Sequence, residues 1–229
     1  MNPSPQTPLT KEMASPEYSI VPVLEADLPF LANFTHAAKL SLSINRLIFE
    51  NWPNEALQKE MYSNAVLHSY SEPSMECFKA VDANSNEIIG YFVLARKQPV
   101  KESIVNNGNE DSRQATPDGL NRGLFEEVMT ATTKIAKQTE TIDRFEVIYM
   151  CVKPSHQRKG VGSKLVQLGF DRAHAEDIPL TICAEAPAYE FFNKLGFEDM
   201  THCDIDLRKY APANSGFGIF RLTGMVWRP

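Results

Sequence analysis

One stretch of the chain limits the possible folds more than any other. Apolar and aromatic residues run unbroken through Val147-Ile148-Tyr149-Met150-Cys151-Val152, the composition of a buried strand. Pro154 ends that run, because proline has no N–H to give to a sheet ladder. A basic loop with Gly160 and Gly162 follows, and then a helical pattern begins. Ser163, Lys164, Gln167, Asp171 and His174 recur three or four apart, while Val161, Leu165 and Leu168 fall on the other side. A buried strand feeding directly into a one-sided helix is the start of an α/β architecture.

The loop between strand and helix has a chemistry of its own. A helix N-terminus presents unpaired N–H groups and partial positive charge, which makes it an anion site. Gly160 and Gly162 allow close backbone approach, and Arg158 and Lys159 add full charge at the same place. A phosphate or pyrophosphate is the guest that suits such a loop. An ordinary tight strand-to-helix turn with solvated basic residues is the plainer alternative. The pattern is not G-x-x-x-x-G-K-[ST], and it lacks the third glycine of a dinucleotide fingerprint.

Gln157-Arg158-Lys159-Gly160-Val161-Gly162 resembles the acetyl-CoA signature of the GNAT superfamily of N-acetyltransferases, [Gln/Arg]-x-x-Gly-x-[Gly/Ala]. Val152-Lys153-Pro154 is similar to the way that family ends the preceding strand. Ala188-Tyr189-Glu190-Phe191-Phe192-Asn193-Lys194-Leu195-Gly196-Phe197 resembles its second motif, a short helix closing in Leu-Gly-Phe. The resemblance implies a single α/β domain with a mixed sheet of about seven strands, splayed at the acetyl-CoA site and flanked by helices. It also implies acetyl-CoA as co-substrate and no metal. Backbone groups of Met150 and Val152, with Cys151 between them, would pair with the pantetheine arm as an added strand. Gln157, Arg158, Lys159, Gly160, Val161, Gly162 and Ser163 would hold the pyrophosphate.

Composition narrows the class from another direction. A formal net charge of −6 argues against a nucleic-acid binder, which usually carries a basic stripe. Cys77, Cys151, Cys183 and Cys203 show no C-x-x-C spacing, and the five histidines form no H-x-x-x-H, so neither metal nor disulfide framework is expected. No run is long enough to cross a bilayer, and residues 1–17, rich in Pro, Ser and Thr, read as a disordered tail rather than a signal peptide. The expectation is a cytoplasmic protein whose domain spans residues 18–229, with no nucleic-acid or membrane partner. A homodimer rests on analogy with the family alone.

Along the chain, strands are expected at Tyr18–Leu24, Cys77–Asp82, Ile88–Arg96, the stretch through Val152, Pro179–Ala184, Phe197–Asp206 and Phe217–Trp227. Helices are expected from Asp27, over Ile44–Phe49, over Asn54–His68, where the apolar positions Leu57, Met61, Ala65 and Leu67 roughly follow the helical period, and over Leu120–Gln138. Val100–Gly119 reads as a long loop, so residues 97–143 form an insertion between two strands that relatives join directly. It caps the acceptor side of the cleft or is a surface excursion; both readings stay open.

Attack of an amine on a thioester needs the amine neutral, so a base or proton wire is required. Glu146, eleven residues before Gln157, matches by offset the catalytic glutamate of the histone-type branch. Its alternative is a solvent-exposed ion pair with Arg144, which strand alternation puts on the same face. The tyrosine that many relatives place four residues before Gly-Phe is Phe192 here, and an asparagine frequent three residues before the motif alanine is Glu185. Tyr189 is then the candidate acid, its alternative being helix packing beside Phe191. Cys151, without a histidine partner, reads as inert. The expected function is transfer of an acetyl group to a small-molecule or peptide amine. The competing one is a degenerate acyl-CoA-binding sensor or partner module, and a longer acyl group or a hydroxyl acceptor is a third possibility.

Overall fold

The computed structural model describes residues 17–100 and 116–229. All but the last residue of the expected tail, and the body of the loop expected at Val100–Gly119, lie outside them. The described strands are β1 (Tyr18–Pro22), β2 (Met75–Asp82), β3 (Ile88–Lys97), β4 (Arg144–Val152), β5 (Leu180–Glu185), β6 (Glu198–Asp206) and β7 (Ile219–Trp227). The helices are α1 (Leu28–Lys39), α2 (Asn45–Ile48), α3 (Glu55–Ser71), α4 (Arg122–Ala136), α5 (Val161–Glu176) and α6 (Ala186–Lys194). The strands form one mixed sheet of seven in the order β1-β2-β3-β4-β5-β7-β6. Every neighbouring pair is antiparallel except β4 and β5, which α5 joins as a crossover.

Helices cover both faces of the sheet. On one face Val161, Leu165, Val166 and Ala173 of α5 bury against Phe92, Leu94, Phe145, Val147 and Leu180, with Phe192 and Phe197 closing the far end. Each of these side chains larger than alanine contributes roughly 1.5–3 kcal/mol by leaving water. On the other face α1 and α3 pack over β2, β3 and β4 through Leu31, Val66, Tyr91 and Val93. The same face of β5, β7 and β6 is covered by Leu124, Ala131 and Ile135 of α4. A Cβ on Gly224 of β7 would lie 2.6 Å from Ile135 Cγ2, so the glycine is what lets α4 come down on the sheet.

One expected helix face is corrected by the structure. In α3 the fully buried residues are Gln58, Val66 and Ser69; Leu57, Met61 and Ala65 are half-buried beside them, and only Leu67 turns out, 52 % exposed. The partner surface explains it, since α1 offers buried Thr35 and His36 to that interface. Counting apolar residues misses a helix whose buried face is partly polar. Element ends shift as well: β1 stops at Pro22, and Leu120 pairs with Phe49 in an isolated bridge before α4 begins at Arg122.

Candidate active site

The site begins where β4 and β5 part. They pair over three residues only, Phe145 with Leu180, Glu146 with Thr181, and Val147 with Ile182. Beyond that point a β-bulge bends β4: Val93 faces Tyr149 while Leu94 faces Val147, which leaves Ile148 as the extra residue. Lys153 N–H donates to the carbonyl of Ile89, at 2.9 Å, so the backbone groups of β4 at alternate residues turn toward β3. Met150 and Val152 therefore turn theirs the other way, into the gap left by β5. A free strand edge lies inside the sheet.

The gap leads to the glycine loop. Gly160 caps α5 in the left-handed conformation (φ 82°), and Arg158 also has positive φ (61°). Among the described residues no backbone or side-chain acceptor takes the N–H groups of residues 158–163, so six consecutive donors are left without a protein partner. Arg158, Lys159 and Lys164 stand in no ion pair among the described residues. The turn before the loop is fastened to the β2–β3 connection by Lys153 on Glu87 and by His156 on Asp82 (Nε2 to Oδ2, 3.5 Å). Gly162 lies under α6, where a Cβ would sit 3.2 Å from Phe191 Cζ. Gln157 Nε2 donates to the Val152 carbonyl.

Glu146 lies at the root of the gap and lines a cavity of about 350 Å³ with Thr132, Thr139, Thr181, Cys183 and Met200. Its carboxylate is 3.6 Å from the Arg144 guanidinium, whose side chain is only 8 % exposed. The pair is thus largely buried rather than solvent-exposed. Arg144 donates to the Thr139 carbonyl at 2.7 Å, while its Nε is buried without a partner. Tyr189, the other candidate, spends its hydroxyl on Asp199 of β6 at 3.2 Å. Phe192 is 1 % exposed and packs edge-on to Phe191 and Phe197.

Sequence reasoning missed the polar group at the mouth of the gap. Lys39 Nζ, at the end of α1, lies 2.6 Å from Glu185 Oε1, at the end of β5. Extending the β4–β5 register puts Glu185 level with Met150, or with Cys151 once the bulged residue is discounted. Burial pushes the Cys151 thiol up to about 11, the charge of Lys39 working against that rise. Burial likewise raises the Tyr149 phenol, again opposed by Lys39. Lys39 itself is raised: burial would lower it, but the charge and hydrogen bond of Glu185 outweigh that. A lysine ending a helix is too common to mark a site. The glutamate closing an otherwise apolar strand was the only available sign.

Among the described residues no group of three or more His, Cys, Asp and Glu is placed to hold a metal ion. Nor is any described helix long and apolar enough to cross a membrane. Residues 126–199 match the acetyltransferase (GNAT) domain family. No curated protein sequence matches the chain significantly. Among solved structures, arylalkylamine N-acetyltransferase 2 from Aedes aegypti superposes with TM-score 0.60 at 16 % identity, covering 92 % of this chain and 98 % of the other. A histone acetyltransferase HPA2 and related acetyltransferase from Corynebacterium glutamicum gives 0.55 at 18 % identity, with coverage of 93 % and 97 %. Arabidopsis thaliana NAA60, solved with a bisubstrate analogue, gives 0.52 at 14 % identity, with coverage of 92 % and 97 %.

A mixed seven-stranded sheet splays beside a glycine loop, and the segment that matches the acetyltransferase (GNAT) domain family runs through both the splay and the loop. The chain shares the fold of these acetyltransferases, and its residues 126–199 carry the match to the acetyltransferase (GNAT) domain family.

Proposed function

We propose that this protein moves the acetyl group of acetyl-CoA to an amine by direct attack within a ternary complex. One observation carries the reading: six N–H donors without acceptors adjoin a strand edge whose Met150 and Val152 also lack a strand partner. Together they match a diphosphate followed by an amide-containing arm, the two ends of one extended ligand. In this reading the donors of residues 158–163 hold the diphosphate, and Arg158 and Lys159 add charge beside it. Cys151 lies on the same strand with its backbone turned to β3, so its part is to shape the opposite wall.

The acceptor enters from the α1 and α4 face. The cavity beside Glu146 sets threonine hydroxyls and one carboxylate among apolar side chains such as Ile135, Val147 and Met200, and the carboxylate is the charge that attracts a protonated amine. In this reading Glu146 draws that cation in toward the gap. Tyr189, engaged with Asp199, acts as a wall of α6 unless that bond is given up.

Calorimetry with acetyl-CoA and thiol release across a panel of arylalkylamines, polyamines and peptide N-termini test the reading. Micromolar binding and steady thiol release are expected, and Gly162→Trp should remove both while circular dichroism stays unchanged. Absence of any heat at millimolar acetyl-CoA overturns the proposal. The burial of Phe192, which leaves no donor at that place, favours a second reading as a binding module. Binding without thiol release on the whole panel would select it.

A further inference from the structure

Transfer from a thioester leaves a proton on the attacking nitrogen and a negative charge on the departing sulfur. Few groups facing the gap can serve either. Phe192 has no donor, and the Tyr189 hydroxyl is held by Asp199. The thiols of Cys151 and Cys183 have no hydrogen-bonded partner among the described residues through which a lost proton could be replaced. Glu146 lies where β4 and β5 are still paired, before the strand edge is free. The mouth of the gap holds Lys39 and Glu185, 2.6 Å apart, with side chains 22 % and 32 % exposed.

Their placement is built rather than incidental. Asn45 of α2 is buried, and its Nδ2 donates to the Lys39 carbonyl at 2.8 Å and to the Tyr62 hydroxyl at 3.1 Å. That pins the end of α1 over the gap. Glu185 is both the last residue of β5, paired with Leu222, and the residue before α6. Two rigid elements thus bring one cation and one carboxylate together opposite the free edge of β4.

We propose that Lys39 and Glu185 form the proton relay of the acetyl transfer: Glu185 takes the proton of the attacking amine, and Lys39 gives one to the departing sulfur. The proposal rests on the acetyl-transfer reading above. The C–N bond forms as the C–S bond breaks. The surplus proton of the nitrogen passes to the Glu185 carboxylate, and a proton of the Lys39 ammonium passes to the thiolate. Glu185 then returns its proton to Lys39 across their hydrogen bond. The net result is an amide and a free thiol, with both side chains restored. Donation from an ammonium to a thiolate is uphill, and the return from a carboxylic acid to an amine is strongly downhill, so the cycle closes.

The test uses an amine that the unaltered protein turns over and two acetyl donors. Acetyl-CoA needs its sulfur protonated; 4-nitrophenyl acetate releases a phenolate that needs no proton. Glu185→Gln should lower kcat about 100-fold with both donors. Lys39→Met should lower it about 30-fold or more with acetyl-CoA but less than threefold with the nitrophenyl ester. Lys39→Arg should recover part of the loss. The exchange variant, Lys39→Glu with Glu185→Lys, keeps an ion pair and should keep Tm while losing turnover. Acetyl-CoA affinity measured by calorimetry should stay within threefold in every variant. Wild-type kcat in Glu185→Gln, equal losses on both donors in Lys39→Met, or an active exchange variant overturns the relay alone. An unaltered protein that binds no acetyl-CoA overturns the underlying reading, and the relay with it.

Discussion

The side-chain amide of Gln157 donates to the carbonyl oxygen of Val152 at 3.2 Å, folding the loop back onto the strand edge it follows. That bond fixes the distance between the end of β4 and the first free amide of the loop. Gln157→Leu removes the donor at an exposed position and should leave Tm within a degree or two. A hydrogen bond of this kind contributes about 1 kcal/mol, so acetyl-CoA should dissociate two- to tenfold more readily by calorimetry. Unchanged affinity would show that the strand edge and the loop are positioned independently.

Gly160 and Gly162 should fail differently when replaced. Gly160 has φ 82° with only the Tyr18 hydroxyl near a would-be Cβ, at 3.9 Å. Gly160→Ala should therefore cost about 1–2 kcal/mol of stability through backbone strain alone, read by urea unfolding. Gly162 has an ordinary backbone but faces Phe191 at 3.2 Å, so Gly162→Val should spare much of the stability and weaken acetyl-CoA binding at least tenfold. The reverse pattern would contradict these local geometries.

Phe192 occupies a place that cannot simply be given back a phenol. The ring is enclosed by Phe191 and Phe197 at centroid distances of 5.0 and 5.3 Å and is 1 % exposed. Phe192→Tyr buries a hydroxyl among apolar neighbours and should destabilise the protein by roughly 1–3 kcal/mol. No rise in turnover should accompany it. A stable variant with faster thiol release would show that α6 can turn this residue toward the gap.

Alkaline pH should weaken the fold through its buried thiols. Cys151 and Cys183 are pushed from 9.0 up to about 11 and about 12, mainly by burial. Their folded values lie above the unfolded ones, so the stability they confer is complete below about pH 9 and is lost as pH rises toward the folded values. Between pH 9 and pH 10 each thiol should cost about 1 kcal/mol. Above pH 10 the Tyr149 phenol, also raised by burial, adds to the loss. Urea unfolding at pH 8, 9 and 10 measures the slope, and Cys151→Ala should flatten it. Stability that stays level to pH 10 would contradict the shielding of Cys151 and, in part, of Cys183 from water.

The fold was legible where apolar runs and turn residues agreed. β4, the glycine loop and α5 follow directly from Val147–Val152, Pro154 and the spacing of Val161 and Leu165. The β2–β3 hairpin follows from two apolar runs around a polar turn, and Gly196 does cap α6 with φ 88°. What could not be read were relations between distant segments. The inward face of α3 depends on buried Thr35 and His36 across the interface, and no count of apolar residues reports that. The Lys39–Glu185 pair joins residues 146 positions apart, each unremarkable in its own neighbourhood. The bulge at Ile148 is set by the register against β3 and leaves no local trace.

The three-residue contact between β4 and β5 also divides the molecule mechanically. Four strands, β1 to β4, form one plate and three, β5 to β7, form the other, and among the described residues this short seam is the one ladder between them. A small molecule lodged in the opening would stitch the plates together along the length that the protein leaves unsewn. Occupancy would then be felt as stiffness across the whole sheet, with slowed amide hydrogen exchange in β5 and β7 as well as in the strand being touched.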